Sequence, residues 1–324
     1  MNKKLLGGLC AFVILLTGCG TPKLQNGEEI IAKLDGKSFT VDDLYNQLKL
    51  QYGTSALVGL IDEYIADKEI KTTDALKAEA ESEYNANKEQ YEYYYGTSFE
   101  SALSQNGFAN AKEYKNYIIA LKKQDKMIEN YVSSTLTEEE IEKYYNLNIY
   151  GEITARHILI IPDKNDEMTD EEIKEAEQKA LESAKELIER LDKGEDFAKL
   201  AKEFSKDSTA SNGGLLDPFT NESGFVEEFW VAARDMEVGK YSKEPVETQF
   251  GYHIILKEKQ ADKPALKDVR DKVISKVVEA KLEADENLST KTLAEIRKKY
   301  NLEITDKDLK RIYGSVISNL SEKK

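Results

Sequence analysis

Ile153-Thr154-Ala155-Arg156-His157-Ile158-Leu159-Ile160-Ile161 decides the fold of this 324-residue chain. Its alternation has the period of a strand and sets His157 on one face with Ile153, Ala155, Leu159 and Ile161. A second strand-like segment, Phe250-Gly251-Tyr252-His253-Ile254-Ile255-Leu256, holds the only other histidine in the chain. One histidine among apolar neighbours is usually a satisfied core residue. Two of them in such segments, with no others in the chain, imply a paired role. Strand, helix and Gly-rich loop signals alternate in short order from about Gly151 to Lys259, which predicts a compact α+β unit.

Outward from this unit the texture is helical. Residues 28–150 begin with a short hairpin turning at Asp35-Gly36. Thr40 then caps a helix through Leu44 and Leu48 that ends near Gly53. A second helix follows, with Leu57, Leu60, Ile61, Tyr64 and Ile65 at helical spacing. Residues 73–95 and 110–132 predict longer polar helices, separated by a loop holding Gly96 and Gly107. Thr137-Glu138-Glu139-Glu140 is a capping box opening one more. In residues 260–324, Leu266, Val269, Val273, Ile274, Val277, Val278 and Leu282 form one helical stripe, and Leu302 to Ile304 precedes a polar tail. Each flank has an apolar face that needs a partner. The simplest arrangement pairs the flanks, with the α+β unit of residues 151–259 inserted between them.

The amino end gives an address. Lys3 and Lys4 precede an apolar stretch, Leu5 to Leu16, too short to span a bilayer comfortably. It ends in Leu16-Thr17-Gly18-Cys19, which resembles the lipobox of bacterial lipoproteins. That resemblance implies that residues 1–19 are a lipoprotein signal peptide with its lipobox Cys, that Cys19 is lipidated on its thiol before cleavage and kept as the anchor, and that residues 20–27 are a tether. The protein would then sit on the extracytoplasmic face of the cell membrane, held by its lipid. Cys10 lies in the removed segment, so no disulfide and no thiol chemistry are expected. A formal net charge of -15 and the lack of any basic stripe argue against nucleic acid. No phosphate loop, dinucleotide fingerprint, nucleophile elbow or metal-ligand motif is present.

The α+β unit resembles the parvulin-type peptidyl-prolyl isomerases. Three separated motifs carry the likeness: Ala155-Arg156-His157-Ile158-Leu159, the run Gly194 to Ser208 (Gly-Glu-Asp-Phe-Ala-Lys-Leu-Ala-Lys-Glu-Phe-Ser-Lys-Asp-Ser), and Val246-Glu247-Thr248-Gln249-Phe250-Gly251-Tyr252-His253-Ile254-Ile255. The resemblance implies an antiparallel sheet surrounded by helices, with His157 and His253 as a buried pair and Asp207 at the family's Asp/Cys position. It also implies that Thr248 and Ser208 support a hydrogen-bond network, and that Leu216, Phe225 and Phe229 wall a proline pocket. Neither metal nor cofactor is implied. The family's Gly-Gly-Asp-Leu-Gly loop reads Gly213-Gly214-Leu215-Leu216-Asp217 here, which puts Asp217 where a left-handed backbone is expected. Phe225 stands where Met is usual.

The helical flanks resemble the chaperone-like domain of PrsA-type extracellular foldases. That implies unfolded or partly folded exported proteins as clients and leaves a homodimer open. The alternative reading is a non-catalytic holdase with an inactive parvulin scaffold. The Tyr91-Glu92-Tyr93-Tyr94-Tyr95 cluster reads as helix packing in preference to a client surface, and Trp230 as core or pocket rim.

Overall fold

The structure is a computed structural model that describes residues 28–322. The expected signal segment with Cys19, and the tether 20–27, lie outside the described residues. The chain divides into two compact units, one formed by the residues up to Leu136 together with those from Ile274 onward, the other by Thr137–Val273. The fold is α+β, with a helical unit built from both ends of the chain and a sheet-bearing unit inserted between them.

The helical unit opens on a hairpin of β1 (Ile30–Leu34) and β2 (Lys37–Thr40). Its turn is Asp35-Gly36, where φ is +79° at Gly36, a value glycine reaches without cost. Thr40 and Asp43 form a capping box and start α1 (Val41–Glu69). One helix thus runs where the sequence predicted two, and Gly53 lies inside it. A Cβ at Gly53 would come within 2.9 Å of the Leu309 side chain. The glycine therefore admits a neighbouring helix and terminates nothing. α2 (Asp74–Tyr95), α3 (Phe99–Gln105) and α4 (Ala111–Ser134) follow, so the expected Gly-bearing loop contains a short helix of its own. Phe99 and Leu103 from that helix pack with Tyr84 and Ile118 in a small aromatic core.

The inserted unit begins with α5 (Glu138–Asn148), opened by the Thr137–Glu140 capping box. Then come β3 (Ile153–Ile160), α6 (Asp170–Asp192), α7 (Phe197–Phe204), a 3-10 turn over Ser208–Asn212, α8 (Glu227–Asp235), β4 (Val246–Thr248) and β5 (Gly251–Gln260). The sheet is antiparallel in the order β3-β5-β4. One face, through Ile158, Tyr252 and Ile254, packs on α6 and α7. The other, through Ile153, Ala155 and Ile255, packs on α8 and the loop holding Leu216 and Phe219. Ile161 falls just past the strand and is exposed. The chain enters and leaves the sheet side by side: the Ala261 N–H donates to Glu152 O at 2.8 Å, and a Cβ at Gly151 would overlap Ala261 O.

Three helices close the chain: α9 (Leu266–Ala284), α10 (Leu288–Lys299) and α11 (Lys307–Glu322). The polar tail read from the sequence is therefore a helix. Asp306 starts it by accepting the N–H groups of Asp308 and Leu309, while its carboxylate also holds Lys49 at 2.6 Å. Ile65 and Ala66 of α1, Met127, Ile128 and Val132 of α4, Val278 of α9, and Leu293 and Ile296 of α10 share one core. Each large aliphatic side chain buried there contributes roughly 1.5–3 kcal/mol. Within the same unit Arg297 meets Asp62 through two hydrogen bonds of 2.6 Å, both side chains about 5% exposed or less. Among the described residues, no helix is long and apolar enough to cross a membrane.

Candidate functional site

The antiparallel register builds the site. His157 stands opposite Ile255, and His253 opposite Leu159, so the two histidines are diagonal neighbours on adjacent strands of one face. Their rings stack with centroids 5.4 Å apart, and their Nδ1 atoms are 3.2 Å from each other. Both are buried. On the outer side of His253, Nε2 meets the Thr248 hydroxyl of β4 at 2.9 Å. On the outer side of His157, Nε2 approaches Asp207 Oδ1 to 3.0 Å, close but off the axis of an aligned hydrogen bond.

Proton positions follow from the charges. Partial burial works to raise the Asp207 pKa, but the Thr209 hydroxyl and N–H, together with His157, outweigh it and bring it down to about 2. Asp207 is thus an anion at neutral pH. An anion selects the proton, not the lone pair, on the nitrogen facing it, so His157 carries its hydrogen on Nε2. Nδ1 of His157 is then an acceptor, and His253 must donate to it through its own Nδ1–H. That leaves His253 Nε2 as an acceptor for the Thr248 hydroxyl, which in turn accepts the Phe250 N–H at 3.1 Å. Burial, helped by the neighbouring His157, pushes the His253 pKa down to about 4, so His253 stays neutral at pH 7.

The turn that presents Asp207 is pinned on two sides. Ser205 Oγ accepts the Leu159 N–H at 3.0 Å and the Asp207 N–H at 3.3 Å, tying the turn to β3. Thr209 donates to the Asp207 carboxylate from its N–H at 2.8 Å and its hydroxyl at 2.5 Å. The network expected to include Ser208 runs through Thr209 and Ser205 instead. Ser208 is exposed at the start of the 3-10 turn, and its hydroxyl makes no hydrogen bond among the described residues.

Gly213 and Gly214 close the turn against β3. Gly214 O accepts the His157 N–H at 2.9 Å, and a Cβ at Gly214 would lie 2.1 Å from His157 O. Arg156 donates to the carbonyls of Asn212 and Gly213, each at 3.0 Å, and pairs with Glu258 at 2.6 Å. Asp217 does not adopt a left-handed backbone: among the described non-glycine residues only Asn301 has a positive φ. The altered loop carries no strain at that position.

Phe229 forms the floor beneath the histidines, meeting His157 edge-on at 5.5 Å and His253 at 5.2 Å. Phe225 is half-buried and stacks on Phe229 at 5.0 Å, and Leu216 is buried in the same cluster. Phe219, which the sequence reading passed over, completes the aromatic wall at 4.5 Å from Phe225 and is almost fully buried. Phe250 was also passed over. It is 54% exposed beside Thr248 and lines, with Gln249 and Tyr252, a cavity of about 280 Å³. No group of three or more His, Cys, Asp or Glu side chains among the described residues is placed to hold a metal ion.

Residues 157–259 match the Rotamase family model, described as the PPIC-type PPIASE domain. The chain is 33% identical to the foldase protein PrsA of Geobacillus kaustophilus, with 96% of this chain and 98% of that protein covered. It is 32% identical to the foldase protein PrsA of Bacillus subtilis, covering 97% and 95%. Among solved structures, the foldase protein PrsA of Streptococcus pneumoniae shares the fold, with a TM-score of 0.60 at 19% identity over 88% of this chain and 98% of that one.

Proposed function

Because the chain belongs to the PrsA foldase family and carries a PPIC-type peptidyl-prolyl isomerase domain, we propose that it catalyses prolyl isomerisation in exported proteins. The observation that supports this reading is the hydrogen-bonded Thr248–His253–His157 array, with Asp207 3.0 Å from its end, set against an aromatic floor. Rotation about the prolyl amide costs roughly 18–20 kcal/mol because resonance is lost. The planar amide carries more charge on its oxygen than the twisted one. A pocket of Leu216, Phe225 and Phe229 therefore favours the twisted state, and the Asp207 anion near the carbonyl disfavours the planar one. No bond breaks, so neither nucleophile nor metal enters the reaction. The two histidines hold Asp207 and the floor in place. Thr209 and Ser205 are positioning residues for the same carboxylate.

In this reading residues 151–259 are the catalytic segment, and the helical unit holds unfolded clients. A lipid on Cys19 keeps the protein at the extracytoplasmic face. The holdase alternative draws on the altered loop, in which Asp217 has no positive φ. NMR exchange on a proline peptide tests catalysis: the wild type should accelerate exchange, and Asp207→Asn should slow it by about 10- to 100-fold, the worth of one charged interaction. The Trp230 fluorescence transition should stay cooperative and weaken by no more than about 2 kcal/mol, since Asn keeps an oxygen acceptor for Thr209 but loses the carboxylate charge. Exchange at the background rate with wild-type protein would leave the holdase. For the anchor, Cys19→Ala should abolish labelling by a fatty-acid probe; retained labelling rules the anchor out.

A further inference from the structure

The tyrosine cluster of α2 does not pack as a helix interior. Tyr91 is half-buried against Phe99, but Tyr93, Tyr94 and Tyr95 are 84%, 69% and 68% exposed. Tyr94 and Tyr95 border a cavity of about 490 Å³ in the helical unit, floored by Phe99, Phe108 and Tyr114. The rings run in series: Tyr95 to Tyr91 at 4.7 Å, Tyr91 to Phe99 at 5.6 Å, Phe99 to Tyr114 at 5.7 Å, and Tyr114 to Phe108 at 5.0 Å. Such rings sit at contact spacing and are held by one another, so the wall exists before any ligand arrives.

The polar groups on this wall are neutral. Asn87, Gln90 and Asn106 supply carboxamides, and no charged side chain lines the cavity. Asn87 and Asn106 are committed, to the Tyr114 hydroxyl and to Ala102 O. Gln90 and the hydroxyls of Tyr91, Tyr94 and Tyr95 make no hydrogen bond among the described residues. A neutral aromatic trough with spare donors suits a backbone whose carbonyls are not already paired. Helices and strands already paired in a sheet do not offer that, whereas polyproline II does: it has no internal hydrogen bonds, loses little entropy on binding, and presents flat proline rings to aromatic walls. The flanking charge is acidic. Glu89, Glu92, Glu100 and Glu113 adjoin cavity residues in the chain, and the cations that do so, Lys88 and Lys115, are paired with Glu100 and Glu81.

We propose that this cavity is a docking site for extended, proline-bearing client segments flanked by lysine or arginine, separate from the isomerase pocket. The inference rests on the foldase reading, and gives the helical unit a defined ligand: the same proline-containing chains that the isomerase turns over. A segment held there raises the local concentration of further prolines on the same client at the catalytic pocket.

The test uses the full-length protein and a short oligoproline peptide with lysine at both ends, carrying a diazirine for photo-crosslinking and a fluorophore for anisotropy. Adducts mapped by mass spectrometry are expected on the 87–114 segment as well as around Phe225. Tyr94→Ala/Tyr95→Ala should remove the first set, weaken binding there about tenfold, and leave isomerisation of a short proline substrate unchanged. Both tyrosines are exposed, so folding should survive; Gln90→Ala, on the exposed side of α2, gives a second variant free of aromatic loss. Glutamate in place of the terminal lysines should weaken the 87–114 adducts. Adducts confined to the isomerase pocket would overturn the proposal, as would protection of the 87–114 segment by a chitin oligosaccharide without peptide binding. Absent isomerase activity with intact 87–114 adducts would sink the catalytic reading alone.

Discussion

Acid should unfold the isomerase unit through His253. Its pKa is lowered from an ordinary 6.5 to about 4, chiefly by burial and then by His157. The folded state therefore binds the proton less readily than the unfolded chain. Stability from this group is fully present above pH 6.5 and is lost as pH falls toward 4. Across that interval, at 1.36 kcal/mol per pH unit, the loss amounts to about 3 kcal/mol. The side chain is 5% exposed, so solvent screening takes little from this figure. Asp207, with its pKa near 2, adds a second loss only below about pH 4. The single tryptophan, Trp230, is buried in the isomerase unit, so urea unfolding followed by its fluorescence reports on that unit while circular dichroism reports on the whole chain. His253→Gln removes the titrating group. The wild-type transition should weaken more steeply between pH 7 and pH 4 than the variant's, by about 3 kcal/mol in total. Equal slopes in the two proteins would refute the buried, neutral assignment of His253.

Three further outcomes follow from other contacts. Asp62→Ala leaves the Arg297 guanidinium buried without its partner and should cost about 3–5 kcal/mol in the dichroism-detected transition; Asp62→Leu with Arg297→Met should recover most of it. Lys257 is 1% exposed and donates at 2.9 Å to the carbonyls of both Arg234 and Met236, so Lys257→Met should lower the Trp230-detected stability by about 2 kcal/mol. Gly214→Ala places a Cβ on the His157 carbonyl and should cost of order 3 kcal/mol while abolishing exchange activity, with the dichroism of the helical unit retained.

The histidine pair was legible because strand alternation is local and the chain has no other histidines to confuse it. Asp207 needed the family resemblance, since nothing in a polar Lys-Asp-Ser turn marks its carboxylate. The Thr209 and Ser205 contacts to it were invisible for a related reason. A hydroxyl's partner depends on how the turn folds back onto β3, not on its neighbours in sequence. Gly53 misled because a glycine that lets another helix approach looks, in sequence, like one that ends its own; the difference lies in Leu309, over 250 residues away. The tyrosine run was read as packing because tyrosine tends to be half-buried, and only the placement of α3 shows which rings face inward.

The pinned ends of the insert carry a consequence for the order of assembly. Chains emerge amino end first, so Asp62 is made long before Arg297, which follows it by 235 residues. Joining them in an unfolded chain means closing a very long loop. Once the sheet has formed, Glu152 and Ala261 are hydrogen-bonded neighbours, and the span between the two halves of the helical unit is cut to its short remaining connections. Each halving of a loop lowers its closure cost by about 0.6 kcal/mol. The isomerase unit, contiguous in sequence, thus acts as a clasp. Weakening its sheet should slow completion of the helical unit, although the two share no residue.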